Sequence, residues 1–311
     1  MQKLSIIIPI LDEEDNIHIA YERLINVLGN LEKKYNYEIL FNDNNSTDNS
    51  FTIVKEIAEK DKNVKVIKFS KNFGYQKSIL TGYKKITGDL AMQLDCDMQD
   101  PPELIPSFLK KYEEGYDVVY GIRATRKENF LINFTRKFFY WLIDKLSENH
   151  IPRDAGDFRL VNRKVINQIV KIKDSQPYIR GAIAAMGFNQ CGIEYNRDAR
   201  ARGKSKFGFR KLISLGLDGI LNHSTIPLRI STFIGLAISL IALSMTLFYI
   251  YGKIYYGEGW NAGFATTTVL ILFSLSVNAM LLGIIGEYLG RIYKQIKASS
   301  DAIISEEINI D

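Results

Sequence analysis

The chain begins with an apolar run at 4–11 that stops at Asp12-Glu13-Glu14-Asp15. A short run bounded by charge in this way reads as a strand buried on both faces. It is too short for a signal peptide and lacks a small-residue cleavage site. Further β-rich runs lie at 38–41, 64–69, 90–94 and 118–120. Between them apolar residues recur every three or four positions, as in Ile17, Tyr21, Leu24, Ile25 and Leu28, then Ile53, Val54, Ile57 and Ala58. Strand and helix thus alternate at βαβ spacing, which predicts an α/β fold with a mostly parallel sheet covered on both faces. Ligands of such sheets bind beyond the carboxyl ends of the strands, so the polar clusters that close these runs are where chemistry is expected.

From about residue 121 the pattern changes. Segments 130–146 and 207–221 are aromatic-rich, partly basic and helical in spacing. The first either lies in a membrane interface or packs on the sheet, whereas the second runs almost directly into an apolar window and reads better as interfacial. Windows 230–252 and 259–286 contain no charged residue, and their lengths of 23 and 28 residues exceed the ~20 needed to cross a bilayer. Arg210, Lys211 and Arg229 precede the first window and Arg291, Lys294 and Lys297 follow the second, against Lys253 alone in the link. That bias places both ends in the cytosol, with Tyr255, Tyr256 and Trp260 at the outer interface. Gly286 and Gly290 form a small-xxx-small pair that permits close helix packing.

Composition removes several classes. A hydrophobic content of 46% excludes disorder, and two cysteines exclude a disulfide scaffold. Three histidines, with no cysteine pairs at finger spacing, leave a structural zinc site almost without ligands. Charge is distributed unevenly: residues 1–120 hold 15 basic and 20 acidic side chains, and residues 121–229 hold 21 and 9, giving −5 followed by +12. A basic segment directly before an apolar window points to anionic membrane lipid or a phosphorylated ligand. Nucleic acid is the competing partner, but no nucleic-acid motif accompanies the charge.

Two polar clusters follow strands. In Asp95-Cys96-Asp97-Met98-Gln99-Asp100, two carboxylates one residue apart can approach a hard cation, Mg2+ or Mn2+, that also binds substrate phosphates. The D-x-D triplet is unspecific in a chain with 18 Asp, so context decides. Phe41-Asn42-Asp43-Asn44-Asn45-Ser46-Thr47-Asp48 reads either as a turn and helix cap or as a nucleotide pocket in which Asp43 bonds a base edge.

The context is a series of motifs. S-I-I-I-P-I-L-D-E-E-D-N-I at 5–17, E-I-L-F-N-D-N-N-S-T-D at 38–48, S-K-N-F-G-Y-Q-K at 70–77 and D-C-D-M-Q-D-P-P-E-L-I at 95–105 occur in an order and spacing that resemble the family 2 glycosyltransferases with the GT-A fold. E-G-Y-D-V-V-Y-G-I-R at 114–123, D-A-G-D-F-R-L at 154–160 and R-A-R-G-K-S-K-F at 200–207 resemble the polyprenyl-phosphate branch, which includes bactoprenol glucosyltransferases and dolichol-phosphate mannose synthases. The resemblance implies a Rossmann-like GT-A domain at 1–205, a juxtamembrane amphipathic helix at 206–229, a two-helix transmembrane hairpin at 230–290 with spans near 230–252 and 263–286, and a cytosolic tail at 291–311.

By that resemblance, Pro9, Leu11, Glu13, Asp43, Asn44 and Asp95 line the nucleotide-sugar pocket, Asp95, Asp97 and Gln99 hold the metal, and Asp157 is the candidate base. Asp154 is a near neighbour that complicates the last assignment. Many relatives have Tyr, Asn, Asp and Gly where this chain has Leu11, Asp12, Asn44 and Asn45, which leaves the nucleotide open. Arg123, Arg136, Arg200, Arg202, Lys204, Ser205 and Lys206 either clamp the lipid phosphate and the diphosphate or form a solvated basic face. The implied reaction moves a hexose from a nucleotide sugar to undecaprenyl phosphate with inversion, at the cytosolic face of a bacterial inner membrane. UDP-glucose is the first donor implied, with UDP-N-acetylglucosamine, an aminoarabinose-type donor and GDP-mannose as rivals. A homo-oligomer, a flippase and a second glycosyltransferase are the further partners that this branch suggests. A non-catalytic membrane scaffold or flippase partner is the reading from another class. A processive polysaccharide synthase fits poorly, because no Q-x-x-R-W motif occurs.

Overall fold

The computed structural model describes residues 1–123, 155–175, 177–196, 226–256, 263–297 and 301–310. They fall into two compact units, one built on a sheet and the other on two long helices. In the first unit, strands β1 (Gln2–Ile10), β2 (Tyr35–Asp43), β3 (Val64–Phe69) and β4 (Leu90–Gln93) alternate with helices α1 (Ile17–Gly29), α2 (Ser50–Lys60) and α3 (Tyr75–Lys85). Helix α4 (Ile105–Glu113), strands β5 (Val118–Arg123) and β6 (Ala155–Asn162), helices α5 (Arg163–Ile169) and α6 (Ile179–Ala185), and strand β7 (Gln190–Tyr195) follow. Beyond the long helices α7 (Ile226–Tyr256) and α8 (Phe264–Lys297), the chain returns to this unit as strand β8 (Ile304–Ile308).

The sheet order is β7-β5-β6-β4-β1-β2-β3-β8. Strands β1 to β4 are mutually parallel, as the alternation of runs predicts, while β6 lies antiparallel to β4 and β5, and β8 antiparallel to β3. Period-two alternation divides β1 between the two faces. Ile6, Ile8 and Ile10 join the core under α1, α2 and α4, whereas Ile7 joins the core with Ile79, Leu80, Val165, Ile166, Ile179 and Ile183 of α3, α5 and α6. Residues 4–10 are all buried, the pattern of a strand covered on both faces. Helix α3 approaches the sheet closely at Gly82, where a Cβ would come within 2.6 Å of Ile7 and 2.7 Å of Asn42.

One charge is buried for stability. Glu38 on β2 is 1% exposed and is bonded by Ser5 Oγ at 2.6 Å, Thr87 N at 2.7 Å, Thr87 Oγ1 at 2.9 Å and Gly88 N at 3.2 Å. Lys3 and Lys65 Nζ lie 2.7 and 3.1 Å from Oε2, which Thr87 Oγ1 also bonds. Burial alone would raise its pKa, but these donors hold it down at about 2.

Residues 304–308 lie within the segment expected as a tail and instead extend the sheet. Ser305 Oγ donates to Lys68 O at 3.0 Å, and Asn309 Nδ2 donates to Ala58 O at 2.7 Å and Val64 O at 2.8 Å. In the second unit, α7 and α8 contain stretches long and apolar enough to cross a membrane, Ser231–Gly252 and Phe273–Lys297. The first covers nearly the residues of the first charge-free window, and the second runs from within the other window to beyond residue 286. Their large apolar side chains are exposed, Phe233, Leu247 and Leu282 among them, as suits a lipid-facing surface. A groove of about 910 Å3 between them is lined by Ile238, Ala242, Met245, Leu270, Ser274 and Asn278, among others.

Candidate active site

The carboxyl ends of β1, β2 and β4 bring the expected residues together. At β1, Asp12 takes the left-handed conformation with φ +52°, and its Oδ1 accepts from Thr47 N at 2.8 Å and Thr47 Oγ1 at 3.1 Å. Glu13 and Glu14 donate their backbone N–H groups to Ser50 Oγ at 2.8 Å and Asp48 Oδ2 at 3.2 Å. Asp48 Oδ1 also accepts from Ser50 N at 2.9 Å, so the turn leading into α2 accounts for Asp48 but not for Asp43. Pro9 is buried and Leu11 half-buried beside this seam. Glu13 Oε2 accepts from Asn16 Nδ2 at 2.6 Å, which commits one of its oxygens to its own loop.

Asp43 is fully buried. Its Oδ1 accepts from Ser46 N at 3.1 Å and Ser46 Oγ at 2.5 Å, but its Oδ2 has no partner, and neither does the buried Asn44 Oδ1. Buried acceptors left unpaired are costly, and here two successive residues at a strand end carry them. They fit an N–H-bearing ligand such as the edge of a nucleobase. Burial outweighs the Ser46 bonds and raises the Asp43 pKa.

Beyond β4 the chain turns through Asp95 to Asp100, with Met98 at φ +53°. Tyr75, at the start of α3 after Gly74 (φ +89°), donates its hydroxyl to Asp95 Oδ1 at 2.5 Å and accepts from Gln93 Nε2 at 2.9 Å. Asp97 Oδ1 accepts from Gln99 N at 3.2 Å. Asp100 Oδ1 accepts from Tyr195 Oη at 2.5 Å, and Arg123 Nη2 lies 3.5 Å from its Oδ2. Burial pushes Asp95 up to about 7 against the pull of Tyr75, and the charges of Asp100, Asp157 and Asp97 push the same way.

Among the described residues no three His, Cys, Asp or Glu side chains converge as a ready-made metal site. What is present is a pair of hard oxygen donors, Asp95 and Asp97, in a crowd of carboxylates that resist sharing their charge. Such a pair suits Mg2+ or Mn2+ that takes its other oxygens from water and a diphosphate. Gln99 contributes a backbone N–H to the turn.

Opposite this acidic loop stand arginines. Asp157 on β6 is gripped by Arg180 of α6, with Nη2 to Oδ2 at 2.8 Å and Nε to Oδ1 at 3.3 Å. Burial would raise the Asp157 pKa, but Arg180, Arg159 and Arg123 outweigh it and hold the group below the usual carboxylate range. Arg159 is buried, donates to Gly156 O at 2.9 Å, and leaves its Nε unpaired. Arg123, expected as a phosphate clamp, pairs with Asp100 and lies against Gly156, where a Cβ would meet its Nη2 at 3.2 Å. Arg136, Arg200, Arg202, Lys204, Ser205 and Lys206 lie outside the described residues, as do Asp154 and segments 130–146 and 207–221.

Three residues join the site without having been expected there. Tyr75 and Arg159 stand inside the S-K-N-F-G-Y-Q-K and D-A-G-D-F-R-L runs, whereas Arg180 belongs to no motif. It is placed by packing: Ile179 N, beside it, donates to Gln76 Oε1 at 3.1 Å and ties α6 to the start of α3.

Comparison with known proteins bears on the family and the fold. Residues 5–170 match the family described as Glycosyl transferase family 2. An uncharacterized glycosyltransferase of Bacillus subtilis is 37% identical over 99% of this chain and 94% of its own length. The bactoprenol glucosyl transferase of Shigella phage SfX is 34% identical over 95% of this chain and 96% of its own. The crystal structure of glucosyl-3-phosphoglycerate synthase from Mycobacterium tuberculosis, in complex with Mn2+, UDP and phosphoglyceric acid, is 16% identical. It covers 71% of this chain and 76% of its own with a TM-score of 0.50, a likeness of fold.

Proposed function

The chain belongs to glycosyl transferase family 2, and from that premise we propose that it transfers a hexose from a nucleotide sugar, glucose from UDP-glucose first, to undecaprenyl phosphate with inversion at the anomeric carbon. The observation that carries this reading is the cluster of polar side chains at the strand ends. Unpaired buried acceptors on Asp43 and Asn44 suit a base, the Asp95–Asp97 loop suits a metal-bound diphosphate, and arginines stand across from it. Relatives named bactoprenol glucosyl transferase align along nearly the whole chain, long helices included, which supports a polyprenyl phosphate as acceptor.

In this mechanism an acceptor phosphate oxygen attacks the anomeric carbon, and the bond from that carbon to the diphosphate oxygen breaks with its electron pair on the leaving nucleoside diphosphate. A phosphate monoester is largely ionised near neutral pH, its second pKa being about 6, so little base catalysis is needed. Mg2+ or Mn2+ held by Asp95 and Asp97 would neutralise the leaving diphosphate. Positioning and electrostatics by the chain's own groups then carry most of the rate.

Strands of one sheet precede and follow the two apolar helices in sequence. A hairpin crossing the bilayer twice would return the chain to the side it left, which supports a catalytic unit confined to one face. The excess of Lys and Arg on the flanks of the helices supports the cytosolic face. The test is to incubate membranes containing the full chain with undecaprenyl phosphate, Mg2+ or Mn2+, and a panel of labelled nucleotide sugars. One labelled lipid is expected, and no labelled lipid with any donor overturns the reading.

A further inference from the structure

We propose that Arg180 binds a phosphate oxyanion of the substrates and that Asp157 is the residue that aims it, not a proton acceptor. The inference rests on the transferase reading above and gives it a phosphate-binding residue outside every motif. Both oxygens of Asp157 face the same guanidinium, at 2.8 and 3.3 Å. This fork-on-fork pairing fixes the plane of the arginine. A carboxylate so held has both oxygens engaged, and with Arg159 and Arg123 adding positive charge it has little appetite for a proton.

The arginine has capacity left. A guanidinium carries five N–H donors, of which Asp157 takes two, and no other protein acceptor is paired with it among the described residues. Its side chain is 27% exposed, against 16% for Asp157, so solvent reaches the arginine more than the carboxylate behind it. It also stands near the acidic loop. Gln76 accepts from Ile179 N, next to Arg180, and Tyr75, next to Gln76, bonds Asp95 through its hydroxyl. A planar cation, fixed by Asp157 and tied to the start of α3 beside the acidic loop, is suited to grip an oxyanion. Two substrates could supply it, the lipid monophosphate or the nucleoside diphosphate.

The test compares the full chain in detergent with R180A, R180K, D157N and the double variant D157N/R180A. Steady-state kinetics are read separately for UDP-glucose and farnesyl phosphate, and calorimetric titration with farnesyl phosphate, farnesol and UDP measures binding without turnover. R180A is expected to raise one KM about 10- to 100-fold and to weaken binding of the matching phosphate ligand, leaving farnesol unaffected. A change in the farnesyl phosphate arm identifies the acceptor, and a change in the UDP arm identifies the donor. D157N should raise the same KM by less, and the double variant should be no worse than R180A, because the two act as one unit. R180K keeps the charge without the fork, stays foldable, and should show a smaller rise in the same KM. The proposal is overturned if R180A and R180K leave both KM values and both affinities unchanged, or if D157N collapses kcat with KM intact, as loss of a base would. Absence of transfer by the unaltered chain with every donor counts against the transferase reading, and the binding arm still decides the role of Arg180.

Discussion

Two carboxylates in one cleft, Asp95 after β4 and Asp157 on β6, are tuned in opposite directions. Asp95 sits among acids and is pushed up to about 7; Asp157 sits among arginines and is held below the ordinary range. Both are affected by burial, so the difference comes from their neighbours. One end of the cleft is short of positive charge and suits a cation. The other has a cation in excess and suits an anion. The proposed reaction, which parts a sugar from a diphosphate and joins it to a phosphate, would use both ends.

The sharpest way to break that contrast is at the acidic end. Asp97→Asn removes one of two hard donors but spares the turn, since an amide oxygen can still accept from Gln99 N. Loss of the metal's grip should lower transfer at least about 1,000-fold, on the order of 4 kcal/mol of barrier, with circular dichroism unchanged. The measurement is labelled lipid per unit time across a Mg2+ and Mn2+ titration. Full activity in this variant would remove the metal assignment.

Glu38 offers a third case, a carboxylate saturated by donors and remote from chemistry. Replacing it with Ala strands the buried Lys65 and the Thr87 N–H and should cost roughly 3–5 kcal/mol of stability without altering either KM. Its pKa is lowered in the fold from an ordinary 4.5 to about 2. The stability it contributes is therefore complete above pH 4.5 and is lost as pH falls through about 2, a window worth roughly 3 kcal/mol. Denaturant titration between pH 7 and pH 2 should show this loss in the unaltered chain and a flatter profile in the variant.

The contrast between the two ends was only half legible in the sequence. Runs such as 4–11 and 90–94, each closing on acids, revealed the parallel strands and Asp95 with Asp97, because a buried strand is a local pattern. Asp157 was visible in its motif, but Arg180 was not, since it reaches the cleft through the packing of α6 on α3 and carries no local signature. The antiparallel turn of β6 between β4 and β5 hid the pairing of Arg123 with Asp100, which joins residues 23 positions apart. Strand β8 was hidden for another reason: Ile304-Ser305-Glu306-Glu307-Ile308 exposes its three central residues, and an edge strand of that kind is as polar as a tail.

A subtler perturbation separates the base pocket from the diphosphate site. Asp43→Asn keeps one acceptor for Ser46 but can turn an N–H2 toward a base that needs an acceptor, where Oδ2 now stands unpaired. The KM for the nucleotide sugar should rise about 10-fold, near 1.4 kcal/mol, while the KM for the lipid phosphate stays fixed. A rise in the lipid KM instead would place Asp43 on the wrong side of the cleft.

The smallest effect belongs to an ion pair that resembles the Asp157–Arg180 pair in distance and differs in setting. Lys85 of α3 and Glu307 of β8 meet at 2.6 Å, with side chains 34% and 33% exposed. Water screens such a pair and ordering two long side chains offsets much of its attraction, so its worth is about 0.2–1 kcal/mol. Lys85→Ala should lower Tm by only a few degrees, and adding salt to 1 M should shrink the difference because the Debye length falls to about 3 Å. Transfer should be unchanged. A loss of activity here comparable to that of D157N would mean that α3, which carries Tyr75 at its other end, depends on the β8 clamp for its position. Asp95 and Asp157 would then be tuned from the sheet edge as well as by their immediate neighbours.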